Sequence, residues 1–267
     1  MIRDITIGQY YPAKSPIHRM DPRTKLFGTL IFIISVFLFH SVAGYAVATL
    51  FLAGMIIISQ VPVKFIFKGL KAIFMILMIT MVFNILLTPG EVLWKIGIFK
   101  ITREGISMAV RMAIRLVYLV IGSSLMTLTT TPNQLTDGLE KSLRPLNKIH
   151  VPVHEIAMMM SIALRFIPIL LEETDKIMKA QIARGADFES GNLIQKVKNM
   201  VPLLVPLFIS AIRRAYDLAT AMEAKCYRGG EGRTKMKLLR FSRVDLYAFS
   251  VCICLLAAVI TLAAFGL

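Results

Sequence analysis

The chain has 267 residues, of which 56% are hydrophobic, and its formal net charge is +15 at pH 7. Its mean hydropathy of +0.69 lies well above that of soluble globular domains, so the composition excludes that class and predicts an integral membrane protein. The basic charge does not predict nucleic-acid binding here, because Lys and Arg flank apolar runs, where they set membrane orientation and meet the anionic headgroups of the lipid bilayer.

The first 131 residues predict an N-terminal membrane region with about four transmembrane helices. Between the second and third of these, Lys64, Lys68 and Lys71 recur at helical spacing beside an apolar face, which predicts an interfacial cytoplasmic helix. A short amphipathic piece near residues 94–101 is predicted at the opposite surface. The four apolar spans are expected at about residues 26–39, 42–59, 72–88 and 105–131.

Two arginines, Arg111 and Arg115, lie one helical turn apart in the first half of the fourth span. Their side chains can reach the membrane–water interface or face other subunits, or the two arginines can form an intramembrane functional site. No acidic residue stands in a neighbouring span as the partner that a proton or ion relay requires, and the sequence leaves their role open.

Residues 132–244 predict a cytoplasmic region, and residues 245–267 predict a C-terminal transmembrane helix. Residues 131–245 hold 18 Lys and Arg against 12 Asp and Glu, more than half of the 31 basic residues of the chain. The positive-inside rule therefore places this region in the cytoplasm. With five spans, the N-terminus is expected inside the cell and the C-terminus outside.

The cytoplasmic region divides into two long helices, because Gly and Ser interrupt the helical pattern near residues 185–191. Pro168 is expected to kink the first helix, and Pro202 and Pro206 the second. Two similar motifs end these helices, which we call the first tip (Ala183, Arg184, Gly185) and the second tip (Ala224, Lys225, Cys226).

Two interpretations of the tips stay open on the residues alone. A cation in the last turn meets the negative end of a helix, and a following glycine permits a left-handed cap, so the motifs can be purely structural. Alternatively, small residues let the tip enter a groove of a partner while the cation finds a carboxylate.

The sequence predicts neither an enzyme nor a metal site. The glycine-rich residues 229–234 lack the Gly-Lys-Ser/Thr ending of a phosphate loop. The cysteines and histidines show no ligand spacing beyond His150 and His154, which Pro152 separates. No residue is therefore predicted to be catalytic, to bind a cofactor or to hold a metal.

Several long strings resemble the transmembrane coupling (T) subunit of energy-coupling factor transporters, and the likeness covers nearly the whole chain. These strings are Gly8-Gln9-Tyr10-Tyr11-Pro12, Ser15-Pro16-Ile17-His18-Arg19, Asp21-Pro22-Arg23-Thr24-Lys25, Arg165-Phe166-Ile167-Pro168, Met178-Lys179-Ala180-Gln181, Ala183-Arg184-Gly185-Ala186-Asp187 and Tyr227-Arg228-Gly229-Gly230-Glu231-Gly232-Arg233-Thr234.

The resemblance implies an all-α integral membrane protein with about five transmembrane helices and long, kinked cytoplasmic coupling helices in residues 132–244. It implies a multi-pass subunit of a prokaryotic plasma membrane. Such a subunit joins two ABC-type ATPases, which bind the ATP, to a small substrate-binding membrane subunit, the S component, for uptake of vitamins or other micronutrients. No nucleic acid is implied as a partner.

The resemblance also maps the two tips to the family's Ala-Arg-Gly-like motifs, whose arginine enters a groove of one ATPase. The second tip departs from that pattern. Lys225 lacks the planar, bidentate fork of arginine, and Cys226 lacks the freedom of glycine at positive φ. We therefore expect the two tips to hold their ATPases unequally.

A stand-alone secondary carrier is the alternative function. It would transport its substrate without ATPases, and it would require inverted repeats or buried ion-coupling carboxylates, which the sequence does not display.

Overall fold

The structure, a computed structural model, describes residues 10–38, 41–96, 99–188, 192–230 and 239–264. Within these ranges the chain is almost entirely helical, which confirms the predicted all-α membrane class. A short antiparallel hairpin of β1 (Val92–Ile96) and β2 (Phe99–Thr102) occupies the predicted amphipathic piece. The helices are α1 (Pro16–Arg19), α2 (Pro22–Leu38), α3 (Val42–Ser59), α4 (Val63–Leu87), α5 (Arg103–Thr129), α6 (Pro132–Leu143), α7 (Val153–Ala183), α8 (Leu193–Ala224) and α9 (Arg243–Ala264), with a 3-10 helix at Arg144–Ile149.

The chain divides into two compact units. One consists of residues 8–138 and 238–267, and we call it the helical core unit; the other, the hairpin unit, consists of residues 139–237 with the first seven residues. In the helical core unit, α2, α3 and α9 meet in an apolar cluster against which part of α5 packs. Gly122 lets α5 approach α2 closely, since a Cβ there would lie 2.6 Å from Phe32 Cε1. The cluster is formed by Phe32, Val36, Ala48, Leu52, Leu255 and Val259.

Several helices are long and apolar enough to cross a membrane, as the composition predicts. They are α3, α5, α7 and residues Arg243–Leu262 of α9. The predicted interfacial helix and third span form one helix, α4, whose parts Val63–Lys71 and Ile73–Leu87 meet at 57°. The bend separates the half of α4 that carries Lys64, Lys68 and Lys71 from the apolar half, so the two predicted elements differ in direction although the backbone is continuous. The first predicted span falls on α2, whose 17 residues lie at the lower limit of length for a membrane crossing.

Helix α7 qualifies as a membrane span by length and composition, which the sequence analysis did not expect. Its charges concentrate between Glu172 and Lys179, so the preceding turns contain an 18-residue stretch with a mean hydropathy of 1.6. The cytoplasmic assignment of residues 132–244 therefore stays a prediction, which the position of the two ends of α7 relative to the membrane can test.

The hairpin unit is built on α7 and α8. The break between them falls where glycine and serine predict it, and Asn192 is the N-cap of α8. Both helices continue through their internal prolines, Pro168 in α7 and Pro202 and Pro206 in α8. The kinks expected at these prolines stay predictions.

Candidate functional site

The first tip ends α7 in a Schellman cap. Arg184 is the C-cap, and Gly185 adopts a left-handed φ of +86°. The Gly185 N–H donates to the Ile182 carbonyl (2.9 Å), and the Ala186 N–H donates to the Gln181 carbonyl (3.0 Å). These two bonds satisfy carbonyls that the helix end leaves without an intrahelical donor. Glycine suits this position because it adopts a left-handed φ without the steric cost that a Cβ adds.

The second tip ends α8 with the same hydrogen bonds. Lys225 is the C-cap, the Cys226 N–H donates to the Glu223 carbonyl (2.8 Å), and the Tyr227 N–H donates to the Met222 carbonyl (3.0 Å). Cys226 takes the left-handed position with a φ of +54°, although its Cβ makes that conformation unfavourable. The two tips thus share one backbone geometry despite their different sequences.

All six tip residues are exposed: Ala183, Arg184, Gly185, Ala224, Lys225 and Cys226. Each tip therefore presents one cation on the C-cap, bordered by small side chains, where the negative end of the helix favours a positive charge. This arrangement is sufficient for capping, and it also leaves both cations accessible to a carboxylate of a partner. Within each tip, the structure brings together the C-cap cation, the left-handed residue that follows it and the capping hydrogen bonds. It does not bring the two tips to one site.

Three contacts show that α7 and α8 run antiparallel. Arg214 Nη2 donates to Glu173 Oε2 at 2.7 Å near the middle of both helices. Gln181 Nε2 donates to the Pro202 carbonyl at 3.4 Å near the end of α7. Beyond the second tip, Gly230 lies so close to His154, at the start of α7, that a Cβ would overlap the imidazole ring.

The antiparallel arrangement separates the tips. Helix α8 has 32 residues, which at 1.5 Å per residue corresponds to a length of about 48 Å. The first tip precedes α8 and the second tip ends it, so the two cations stand at opposite ends of the hairpin unit. His154, at the start of α7, contacts Glu140 Oε1 through Nδ1 at 3.0 Å.

A buried polar network, which the sequence analysis did not predict, lies in the helical core unit. Asp245, at the start of α9, accepts hydrogen bonds from the Asp21 N–H (2.8 Å) and the Ser242 N–H (2.7 Å). Lys25 Nζ donates to the Thr129 carbonyl at 2.7 Å, at the C-terminal end of α5. The strings at residues 15–19 and 21–25 therefore connect the start of α2 to the C-terminal end of α5 and to the start of α9. The signal available in the sequence was a run of charges immediately before an apolar span.

His18 connects the segment before α1 to the same network through hydrogen bonds. Its Nε2 donates to the Tyr11 carbonyl at 2.9 Å, and its Nδ1 lies 2.7 Å from Ser15 Oγ. The Tyr11 N–H in turn donates to the Leu128 carbonyl at 2.9 Å. Burial is the main cause that lowers the pKa of His18, and the Lys25 charge lowers it further. The neutral imidazole is therefore the form that the fold favours.

The two arginines of α5 lie in different surroundings. Arg111 is exposed and Arg115 is partly buried, with its guanidinium carbon 5.8 Å from the centre of the Phe37 ring. Over the described ranges, the acidic, histidine and cysteine side chains form no group of three or more that could hold a metal ion. The role of the two arginines stays open.

Comparisons with known proteins place the chain in a known family. Residues 13–236 match the family CbiQ, described as cobalt transport protein. The chain is 56% identical to the energy-coupling factor transporter transmembrane protein EcfT of Ruminiclostridium cellulolyticum over 97% of both chains. It is 58% identical to EcfT of Clostridium kluyveri over 97% of this chain and 96% of the relative. With EcfT of Bacillus subtilis the identity is 50% over 92% of this chain and 93% of the relative.

Proposed function

Because the chain belongs to the family of energy-coupling factor transporter transmembrane proteins, we propose that it is the coupling subunit of an ATP-driven importer. In this role it holds two ABC-type ATPase subunits and one substrate-binding S component in a prokaryotic plasma membrane, with the N-terminus and the coupling helices in the cytoplasm. It is not an enzyme, since ATP is bound and hydrolysed by the partners. The cargo is a vitamin or another micronutrient.

The observation that supports this role best is the duplicated tip. Two exposed cations occupy equivalent C-cap positions, Arg184 and Lys225, at opposite ends of an antiparallel hairpin. A separation on the order of the length of α8 suits two separate protein subunits better than one small ligand. Each cation can enter a groove of one ATPase and pair with a carboxylate there.

The coupling step is mechanical. Closure of the ATPase pair on ATP moves both tips, and the helices carry the displacement because an α-helix is stiff along its axis. The Glu173–Arg214 ion pair of 2.7 Å joins α7 to α8 between the tips, so a displacement of one helix acts on the other.

The S component is expected on apolar side chains that remain exposed. One such surface lies on α8, at residues 200–212. Others lie on the spans, α4 above all, where many large apolar side chains are exposed. The large apolar residues of that segment that are exposed are Met200, Val201, Leu204, Val205, Phe208, Ile209 and Ile212.

The two tips are expected to differ in strength. Arg184 can bind a carboxylate through two parallel N–H···O bonds, whereas Lys225 offers a point charge with less geometric control. Binding of the second tip to its ATPase groove then depends more on the attraction of opposite charges and less on hydrogen-bond geometry.

The test is ATP-driven uptake by the complex reconstituted in liposomes with Arg184→Glu. We expect uptake to fall at least about tenfold, because the reversed charge repels the carboxylate that the tip should meet. Lys176→Glu, the same reversal at an exposed position on α7, is the matched control and should retain uptake. ATPase association is measured by pull-down in parallel. Uptake equal to wild type in Arg184→Glu would remove the first tip from the mechanism.

The secondary carrier is tested in the same system without ATPases. The full chain alone in liposomes should show no substrate accumulation, and adding ATPases, S component and ATP should restore it. Accumulation by the chain alone would favour the carrier.

A further inference from the structure

Helix α6 belongs in part to each of the two units. Residues 132–138 are part of the helical core unit, and residues 139–143 are part of the hairpin unit. A capping box fixes the start of the helix: the Gln134 N–H donates to Thr131 Oγ1 (3.3 Å), and the Thr131 N–H donates to Gln134 Oε1 (3.1 Å). Because each turn of an α-helix is hydrogen-bonded to the next, a displacement of one end of α6 also moves the other end.

In the helical core unit, α6 packs directly on the start of α2. Gly138 is buried, and a Cβ at this position would lie 2.8 Å from Pro22 Cβ and 3.4 Å from the Arg23 backbone nitrogen. A larger residue would therefore push α6 away from α2. The start of α2 is bonded in turn to the C-terminal end of α5 through Lys25 and to the start of α9 through Asp21. A shift of α6 therefore acts on three helices of this unit.

In the hairpin unit, α6 is joined to the start of α7 by a side-chain contact. Glu140 Oε1 lies 3.0 Å from His154 Nδ1. The side chains of Glu140 and His154 are only 18% and 28% exposed, so solvent screens this contact less than it screens a surface pair. The contact with α7 and the contact with α2 are thus made by residues two positions apart on one helix, Glu140 and Gly138.

The chain beyond the second tip reaches the same histidine. Gly230 follows Lys225 by five residues, and a Cβ at Gly230 would lie 2.6 Å from His154 Cγ and 2.9 Å from Nε2. His154 Nε2 is buried, and no hydrogen-bond partner for it is found in the part of the chain that the structure describes. Packing against Gly230 rather than a hydrogen bond therefore holds this side of the imidazole ring.

The two tips have routes of different length to α6. From the second tip, five residues lead to Gly230 and so to the His154 ring. From the first tip, the route follows the 31 residues of α7, which at 1.5 Å per residue corresponds to about 46 Å. That route also passes Pro168, where a helix can bend. The second tip therefore acts on α6 more directly than the first tip does.

We propose that α6 transmits the displacement of the second tip to the helical core unit, and that His154, Glu140 and Gly138 are the positioning residues of this route. When an ATPase moves the second tip, Gly230 displaces the His154 ring, Glu140 carries the displacement to α6, and Gly138 passes it to the start of α2. This inference rests on the proposed coupling function and names the path that the motion takes.

The experiment measures ATP-driven uptake and ATP hydrolysis by the complex in liposomes, expressed as uptake per ATP hydrolysed. Gly138→Leu inserts a side chain where α6 meets α2. Gly54→Leu is the matched control, because a Cβ at Gly54 would meet no atom within 4 Å. We expect uptake per ATP to fall at least about fivefold in Gly138→Leu, with ATPase association retained, and to stay at the wild-type value in the control.

The same measurement separates failure of the inference from failure of the proposed function. A wild-type ratio of uptake to hydrolysis in Gly138→Leu would overturn the route through α6, because a change that only weakens the fold lowers uptake and hydrolysis together. Absence of ATP-driven uptake by the wild-type complex would instead contradict the coupling function itself.

A second set of variants decides the matter if Gly138→Leu does not fold. Glu140→Ala and His154→Ala remove the two sides of one contact, so each single variant and the double variant should lower uptake per ATP by the same factor, about threefold. Glu155→Ala, at an exposed position next to His154, is the control and should keep the wild-type ratio. Unchanged ratios in the single variants, or losses that multiply in the double variant, contradict the proposal.

Discussion

At the residue scale, the second tip combines two substitutions that act on different properties. Lys225 alters how a partner carboxylate is bound, whereas Cys226 alters how the helix end is stabilised. Because Cys226 has a φ of +54° in the same cap that Gly185 forms at +86°, the cost of the cysteine lies in the backbone. Its side chain is exposed, so little packing offsets that cost.

Cys226→Gly should therefore stabilise the chain by about 1 kcal/mol, since glycine adopts the left-handed conformation without the Cβ penalty. The measurement is the apparent melting temperature of the detergent-solubilised chain at one scan rate, which should rise.

The reciprocal change provides the control for this prediction. Gly185→Cys introduces the same strain into the first tip and should lower the melting temperature by a similar amount. A drop in stability of Cys226→Gly would show that the cysteine side chain contributes more than its backbone conformation costs.

At the element scale, the Glu173–Arg214 ion pair joins the antiparallel helices α7 and α8. The side chains of this pair are 26% and 36% exposed, so its net contribution is expected to be modest. Its position between the tips gives it a further role, because it fixes how one helix is displaced when the other moves.

We predict a coupling energy of about 1 kcal/mol between Glu173 and Arg214 in a double-mutant cycle with alanine at each site. Arg214→Ala should also reduce ATP-driven uptake more than it reduces ATP hydrolysis, because the mechanical link weakens while the tips remain.

Two variants make this prediction specific. Arg213→Ala removes the adjacent exposed arginine and should leave uptake unchanged. The charge exchange Glu173→Arg with Arg214→Glu should recover part of the lost uptake. If Arg213→Ala and Arg214→Ala behave alike, the pair has no coupling role.

At the scale of the whole molecule, the side of the membrane on which each tip lies depends on which helices cross it. Helix α7 is apolar and long enough to cross the membrane. The tip hypothesis, however, requires both Arg184 and Lys225 on the cytoplasmic side. If α7 crossed the bilayer and α8 returned, the first and second tips would lie on opposite sides. If the hairpin unit is cytoplasmic, both tips lie on the same side.

Labelling with a membrane-impermeant maleimide distinguishes these arrangements. The chain has 3 cysteines, so Cys252→Ser with Cys254→Ser leaves Cys226 as the reporter of the second tip. Ala186→Cys combined with Cys226→Ser in that background reports the first tip. We expect both reporters to react only in inside-out vesicles without ATPases, and reaction of the two from opposite faces would place α7 across the membrane.

The sequence by itself determined the class, the helices and the family. Apolar runs long enough for a bilayer, and the helical spacing of Lys64, Lys68 and Lys71, are local patterns that need no knowledge of distant contacts. The cap residues of the first tip were equally readable, because glycine after a basic C-cap is a local signal. The helix ends at Ala183 and Ala224 accordingly fall where the motifs predict them.

Only the tertiary structure decided which distant residues meet. The bond from Lys25 to the Thr129 carbonyl joins residues 104 positions apart, and the bond from Asp21 to Asp245 joins residues 224 positions apart. No period or spacing encodes such pairs, because they depend on how α2, α5 and α9 pack. The antiparallel separation of the two tips arises in the same way, from long-range packing that local patterns do not specify.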